Sequence, residues 1–144
     1  MKVTETNSGC IIITSSKIVY IFGILSGTPS LARAVAIFPF IIIRSEKDME
    51  PWLINHERIH LKQQIEMFFV GLIVLNILET LYAIIFLKKS FSEAYRWRAS
   101  EQEAYRNQNN LNYLKDRKIW TTFNYLKDKK EFNFGKPGEV ILML

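Results

Sequence analysis

The sequence predicts an α+β fold, a small N-terminal β-hairpin region followed by a mostly α-helical body. Three observations predict it. β-branched and aromatic residues crowd the stretch from Cys10 to Ile43, the composition typical of strands. Pro51 opens the longest segment without a further breaker, ending at Gly71, and proline suits the first position of a helix. Ser90-Phe91-Ser92-Glu93 and Ser100-Glu101-Gln102-Glu103 have the spacing of helix capping boxes. With 144 residues, 49% of them hydrophobic, the chain suits one folded domain over residues 1–144 rather than disorder.

Met1 to Gly9 is polar with Lys2 as its only base, and Thr14 to Lys17 break the apolar run that follows. That is a poor secretory signal. Cys10 to Leu25 and Ala34 to Ile43 read as strands, separated by the turn cluster Ser26-Gly27-Thr28-Pro29-Ser30. Pro39 cannot donate to a ladder, so the second run is an edge strand or two short pieces around a bend. Residues 10–45 thus form the β-rich region; a membrane helix at Ile18–Leu25 is the other reading, too short to span alone.

Residues 51–89 hold a helix and an apolar segment. Phe68 to Leu87 is a 20-residue run with 16 apolar residues and Glu79 as its only ionisable group, followed by Lys88 and Lys89. As a helix it would be about 30 Å long, one hydrocarbon thickness. A membrane segment and a buried core helix bent near Gly71 both fit. Residues 90–127 read as one or two helices from Phe91 to about Asn109, a break at Asn107–Asn112, and helical composition from Leu111 to Leu126. Trp97, Trp120, Phe123 and Tyr125 read there as core or interface anchors. Residues 128–144 read as a loose tail up to the apolar last five.

The formal net charge is +5. Residues 1–87 carry 7 basic and 7 acidic side chains, and residues 88–144 carry 12 and 7, so the excess is wholly C-terminal. A basic half beside an apolar stretch suits an anionic membrane surface. No phosphate loop or zinc-finger spacing supports nucleic acid, which is not expected as a partner. The single cysteine, Cys10, excludes an internal disulfide and a thiolate metal pair.

One motif carries chemistry. His56-Glu57-Arg58-Ile59-His60 fits H-E-x-x-H within the strongest helix candidate. Residues four apart share a helix face, so both imidazoles can reach one Zn2+ ion, with Glu57 as general base toward a water activated by zinc. In a chain with 2 histidines, about one shuffle in a thousand would produce this pattern. Catalytic zinc usually has three protein ligands. No histidine follows His60, so a downstream carboxylate is expected, with Glu101 and Glu103 as candidates. Glu79, some five turns along what reads as the same helix, is too far away, and Glu66 and Glu93 read as solvated or capping.

These residues resemble the gluzincins, especially small membrane-linked ones related to prenyl-protein-processing and heat-shock membrane metallopeptidases and to antibiotic-sensing receptor peptidases. That group carries E-x-x-A-D on the helix of the third ligand. Glu101-Gln102-Glu103-Ala104-Tyr105 matches with Glu101 as the implied ligand, while Tyr105 replaces the aspartate and weakens the support around the metal. Ile54 to Gln64, Phe38-Pro39-Phe40-Ile41 and Glu103-Ala104-Tyr105 also look like an uncharacterised family of short bacterial membrane-associated proteins, over roughly Phe38 to Leu126. Glu103 has a simpler role available, closing a capping box on Ser100.

A single span through Phe68–Leu87 would leave Glu101 about 30 Å from the histidines. The three-ligand site therefore requires that run to be re-entrant, in-plane or buried. The resulting expectation is a membrane-associated zinc metallopeptidase, integral or monotopic in a bacterial cell membrane, hydrolysing a peptide or protein substrate. His56, His60 and Glu101 would hold Zn2+, and Glu57 would be catalytic. By analogy with gluzincins, the edge strand around Ile37–Ile43 would pair with the substrate, and Tyr105 is the only candidate for stabilising the oxyanion. The alternative is a non-catalytic small membrane protein with a structural metal site or none, acting as a binding partner.

Overall fold

A computed structural model describes residues 2–5, 10–25, 32–134 and 140–143, and the side chains of 10–25 and 32–132. The architecture is α+β, as the sequence predicts. Strands β1 (Lys2–Glu5), β2 (Ile11–Thr14), β3 (Ala34–Ile37) and β4 (Phe40–Ile43) form one sheet in the order β1-β2-β4-β3. β2 and β4 run parallel, and the other neighbours are antiparallel. Parallel neighbours need a crossover, and helix α1 (Ser16–Leu25) lies in that connection.

One sequence expectation changes here, and another resolves. The stretch after Ser15 is helical rather than a strand, and the run interrupted by Pro39 is two short strands around a bend, the second of its two readings, with β4 inside the sheet and β3 at one edge opposite β1. Propensity is a weak prior that tertiary context overrides. Pro39 sits in the two-residue turn between β3 and β4, after a cis peptide bond, where it removes no ladder bond.

Helix α2 (Pro51–Glu66) starts at its proline and packs on β3 and β4. Leu61 joins Cys10, Ile12, Ala36, Ile41 and Ile43 in the core beneath it. The next turn of chain bends sharply. Phe68 and Phe69 both adopt positive φ, 50° and 61°, and helix α3 (Val70–Ile85) leaves at 110° to α2. The break lies just before Gly71, where an added Cβ would come within 3.3 Å of Met67 Cβ. Glycine thus permits the close approach of the turn to α3.

The apolar run is therefore not one helix of 20 residues. α3 is about 24 Å long at 1.5 Å per residue, and among the described residues no single helix is long and apolar enough to cross a membrane. α3 packs against α4 (Phe91–Trp97) and touches α5 (Ala99–Asn107). Ser90 and Glu93 form the expected capping box at α4. The one expected at Ser100 is absent: the Ser100 hydroxyl donates to Asn76 Oδ1, and the Glu79 carboxylate accepts the Ala99 N–H at the start of α5. A carboxylate there also complements the helix dipole.

Past α5 the chain forms a turn, then α6 (Tyr113–Asp116) and a 3-10 stretch at Thr121–Leu126, shorter pieces than the composition suggested. In the tail, read from the sequence as loose, β5 (Glu131–Phe134) and β6 (Val140–Met143) pair antiparallel; the Gly135-Lys136-Pro137-Gly138 segment lies outside the described residues. Trp97 is stacked on Tyr82 with Lys129 over its ring, while Trp120 and Phe123 are exposed.

Candidate metal centre

Helix α2 presents two stripes. Leu53, Glu57, Leu61 and Gln64 recur at helical spacing, and the last three meet the sheet or its β3 edge. His56, His60 and Gln63 recur on the side that meets α5 and the turn after it. The opposing helix is unusually polar for a buried element, because every residue from Ala99 to Ala104 is buried. Buried polar groups must find partners, and at this interface they find one another.

The Nε2 atoms of His56 and His60 lie 3.1 Å apart. Glu101 Oε2 is 3.7 Å from the first and Oε1 3.5 Å from the second. One ligand atom from each of the three falls within 4.8 Å of the others, so these residues can hold a metal ion. Two nitrogens around a tetrahedral zinc ion are about 3.3 Å apart, close to the observed separation. Two imidazoles and a carboxylate are also a donor set used by catalytic zinc.

Both imidazoles are oriented from behind. His60 Nδ1 is 2.8 Å from Gln63 Oε1, while Gln63 Nε2 donates to Glu103 and to the Ser100 carbonyl. Those acceptors fix the amide, so its oxygen faces Nδ1–H and His60 keeps its Nε2 lone pair for a metal. His56 Nδ1 is 3.0 Å from Gln108 Oε1. Gln108 is in turn placed by Asn55, whose amide nitrogen donates to the carbonyls of Asn107, Gln108 and Asn110. The Tyr95 hydroxyl donates to Glu101.

Charge follows the geometry. Burial opposes the imidazolium form of His60, but Glu101, with Glu57 and Gln63, more than offsets it and lifts the pKa to about 9 without a metal. Burial also works to raise the Glu101 carboxyl, yet His60 and His56 hold it well below the usual carboxylate range. Glu57 is shifted upward, by burial first and by Glu101 as well, against the pull of the two histidines. Its carboxylate accepts the Ala36 N–H of β3, so the glutamate of the motif lies at the sheet edge.

The structure separates the two carboxylates that the sequence left as alternatives. Glu101 faces the histidines. Glu103 is fully buried against Arg117, with Gln63, Thr122 and Tyr113 donating to it as well, so it neither caps α5 nor faces the metal position. Glu66 is likewise no solvated residue: it pairs with Arg117 at 2.5 Å, its side chain 3% exposed. Glu79 stays away from the histidines and binds Lys129 as well as Ala99. The Tyr105 ring lies edge-on to His56, with ring centroids 4.7 Å apart, and packs against Phe132, a packing role beside the site.

Sequence reasoning missed Gln63, Gln108, Tyr95 and Arg117. Gln63 was within reach, three residues beyond His60 and on the same face; Gln108 follows Glu101 by seven, again one face of a helix. No protein-family model, curated protein or solved structure matches the chain.

Proposed function

We propose that the protein is a membrane-associated, gluzincin-like zinc metallopeptidase. One observation carries the reading: a buried and a partly buried imidazole with their Nε2 atoms converging on a buried glutamate, beside a second buried glutamate at a strand edge. His56, His60 and Glu101 would hold the ion. A zinc ion in that position would acidify water and polarise a peptide carbonyl.

Glu57 does the proton work. Its raised pKa moves it toward that of a useful general base, so its carboxylate takes a proton from the attacking water and passes it to the leaving amine nitrogen. Water adds to the carbonyl carbon, the C–N bond breaks, and the products are a carboxylate and an amine. Gln63 and Gln108 keep the imidazoles in the ligating tautomer. Tyr95 holds the Glu101 carboxylate.

Support for a membrane surface comes from what α3 leaves uncovered. Val70, Ile73, Val74, Ile77, Leu78 and Leu81 are all exposed, and so are Ile21, Ile24 and Leu25 of α1. Those of α3 recur at helical spacing on one face, and an exposed apolar stripe of this length marks an interaction site. Exposed Lys88 stands at the C-terminal end of α3, suited to anionic headgroups. With α3 short and sharply bent from α2, a monotopic attachment fits better than a span.

The test is Glu57→Gln in detergent-purified protein with an unfolded casein as substrate. The variant should retain bound zinc and lose hydrolysis by at least 100-fold, the scale of general acid-base catalysis. Equal hydrolysis by both proteins, or none by either after zinc loading, contradicts the reading.

A further inference from the structure

The free edge of a sheet is a template for an added strand, and β3 has such an edge beside Glu57. Its outward groups are not bare. The Ala36 N–H goes to Glu57. The Ala36 carbonyl accepts from Gln64 Nε2 at 2.8 Å, and the Phe38 N–H donates to Gln64 Oε1 at 2.9 Å. One side-chain carboxamide thus satisfies the C=O and the N–H flanking Ile37, the pair of groups that an added strand would use.

A second glutamine shows what a permanent version looks like. Gln102 accepts from the Lys130 N–H and donates to the Lys130 carbonyl, both at 2.8 Å, and it is fully buried. Gln64 differs in being half-buried, with its Phe38 bond at the surface. Solvent or an incoming chain can reach it. Beside it Phe38 and Phe69, 43% and 41% exposed, meet edge to face at 6.0 Å, an apolar wall next to the edge.

We propose that Gln64 is a displaceable clasp on the β3 edge, and that its competitor is an extended peptide segment carrying an apolar side chain against Phe38 and Phe69. This rests on the peptidase reading. The clasp keeps the Ala36 carbonyl and the Phe38 N–H satisfied while no peptide is bound, and it must let go before a peptide can pair there. Gln64 therefore sets a threshold on peptide affinity without touching the metal position.

The experiment uses the full chain, zinc-loaded, in a Glu57→Gln background that cannot cleave, with dye-labelled unfolded casein as the probe. Adding Gln64→Ala should tighten casein binding about tenfold, the scale of two net hydrogen bonds lost from the competing state. Amide exchange at Phe38 should quicken in that variant and slow again when casein is added. Gln64→Met, which keeps the side-chain length, should behave as Gln64→Ala does and guards against a folding defect. Unchanged or weaker casein binding overturns the proposal, as does self-association of the Gln64 variants in sedimentation, which would make a second copy the occupant. Binding and exchange are read without catalysis, so they decide the clasp even where wild-type protein fails to hydrolyse casein; hydrolysis with no effect of Gln64 sinks the clasp alone.

Discussion

The α2–α5 interface and the outer face of α3 invert the usual arrangement of residues. Between α2 and α5, glutamates, glutamines, His56 and an arginine side chain are buried, several of them completely. On α3, isoleucines, leucines and valines face outward. Charged side chains are almost never fully buried unless paired, and here four of the five buried carboxylates face a basic side chain, Glu66 and Glu103 sharing Arg117, Glu79 holding Lys129 and Glu101 facing the histidines, while Glu57 accepts the Ala36 N–H. The contrast teaches where specificity is placed. The interior is organised by polar pairing around three residues that could hold a metal ion, and the apolar side chains of α3 lie outside the protein's own core.

The sharpest way to break that contrast is to remove the interior's central cation. Arg117→Met leaves two buried carboxylates uncompensated and should cost about 3–5 kcal/mol, read by urea unfolding. A loss below about 1 kcal/mol would show that the network is incidental. Next comes the support behind the imidazoles: Gln63→Leu should weaken zinc binding about 10–100-fold in a competition assay with a chelating dye. It also strips Glu103 of a donor, so its unfolding curve must be measured alongside.

The outer face should respond in the opposite sense. Ile77→Glu on α3 replaces a 52% exposed side chain, so stability should change by less than about 0.5 kcal/mol. Retention on anionic vesicles should fall about 10–100-fold, since burying one such side chain is worth about 1.5–3 kcal/mol. Retention equal to wild type would remove the membrane from the account.

A further effect is one of pH. In the metal-free protein His60 has a pKa of about 9, above the free value of 6.5. Its pairing with Glu101 therefore stabilises the fold fully below about pH 6.5, and that stabilisation is lost as pH rises through about 9. Zinc binding has the opposite slope, because the ion must displace the proton: affinity should rise with pH and level off above about 9. Apo melting temperatures that rise between pH 7 and 9 would contradict the pairing.

How much of this was legible follows the distance over which each signal acts. The H-E-x-x-H spacing is a four-residue fact, and the helix it predicts holds both imidazoles on one face. Glu101 was reachable through the resemblance, and a bend near Gly71 was one of the two readings of the apolar run; its sharpness, 110° through two non-glycine residues at positive φ, carries no sequence signature. The same limit hid Arg117, whose partner Glu66 is 51 residues away. At Ser16–Leu25 the error had another source. The residues favour strands, but the parallel pairing of β2 and β4 requires a crossover, and that topology cannot be seen in any local window.

The central claim is that α5 delivers Glu101, and not Glu103, to the two histidines of α2. Elemental analysis of the purified wild-type chain beside His60→Ala, Glu101→Ala and Glu103→Gln tests it most directly. The account predicts stoichiometric zinc in the wild type, its loss in the first two variants, and its retention in the Glu103 variant that still folds. Zinc that survives Glu101→Ala and disappears with Glu103→Gln would contradict it.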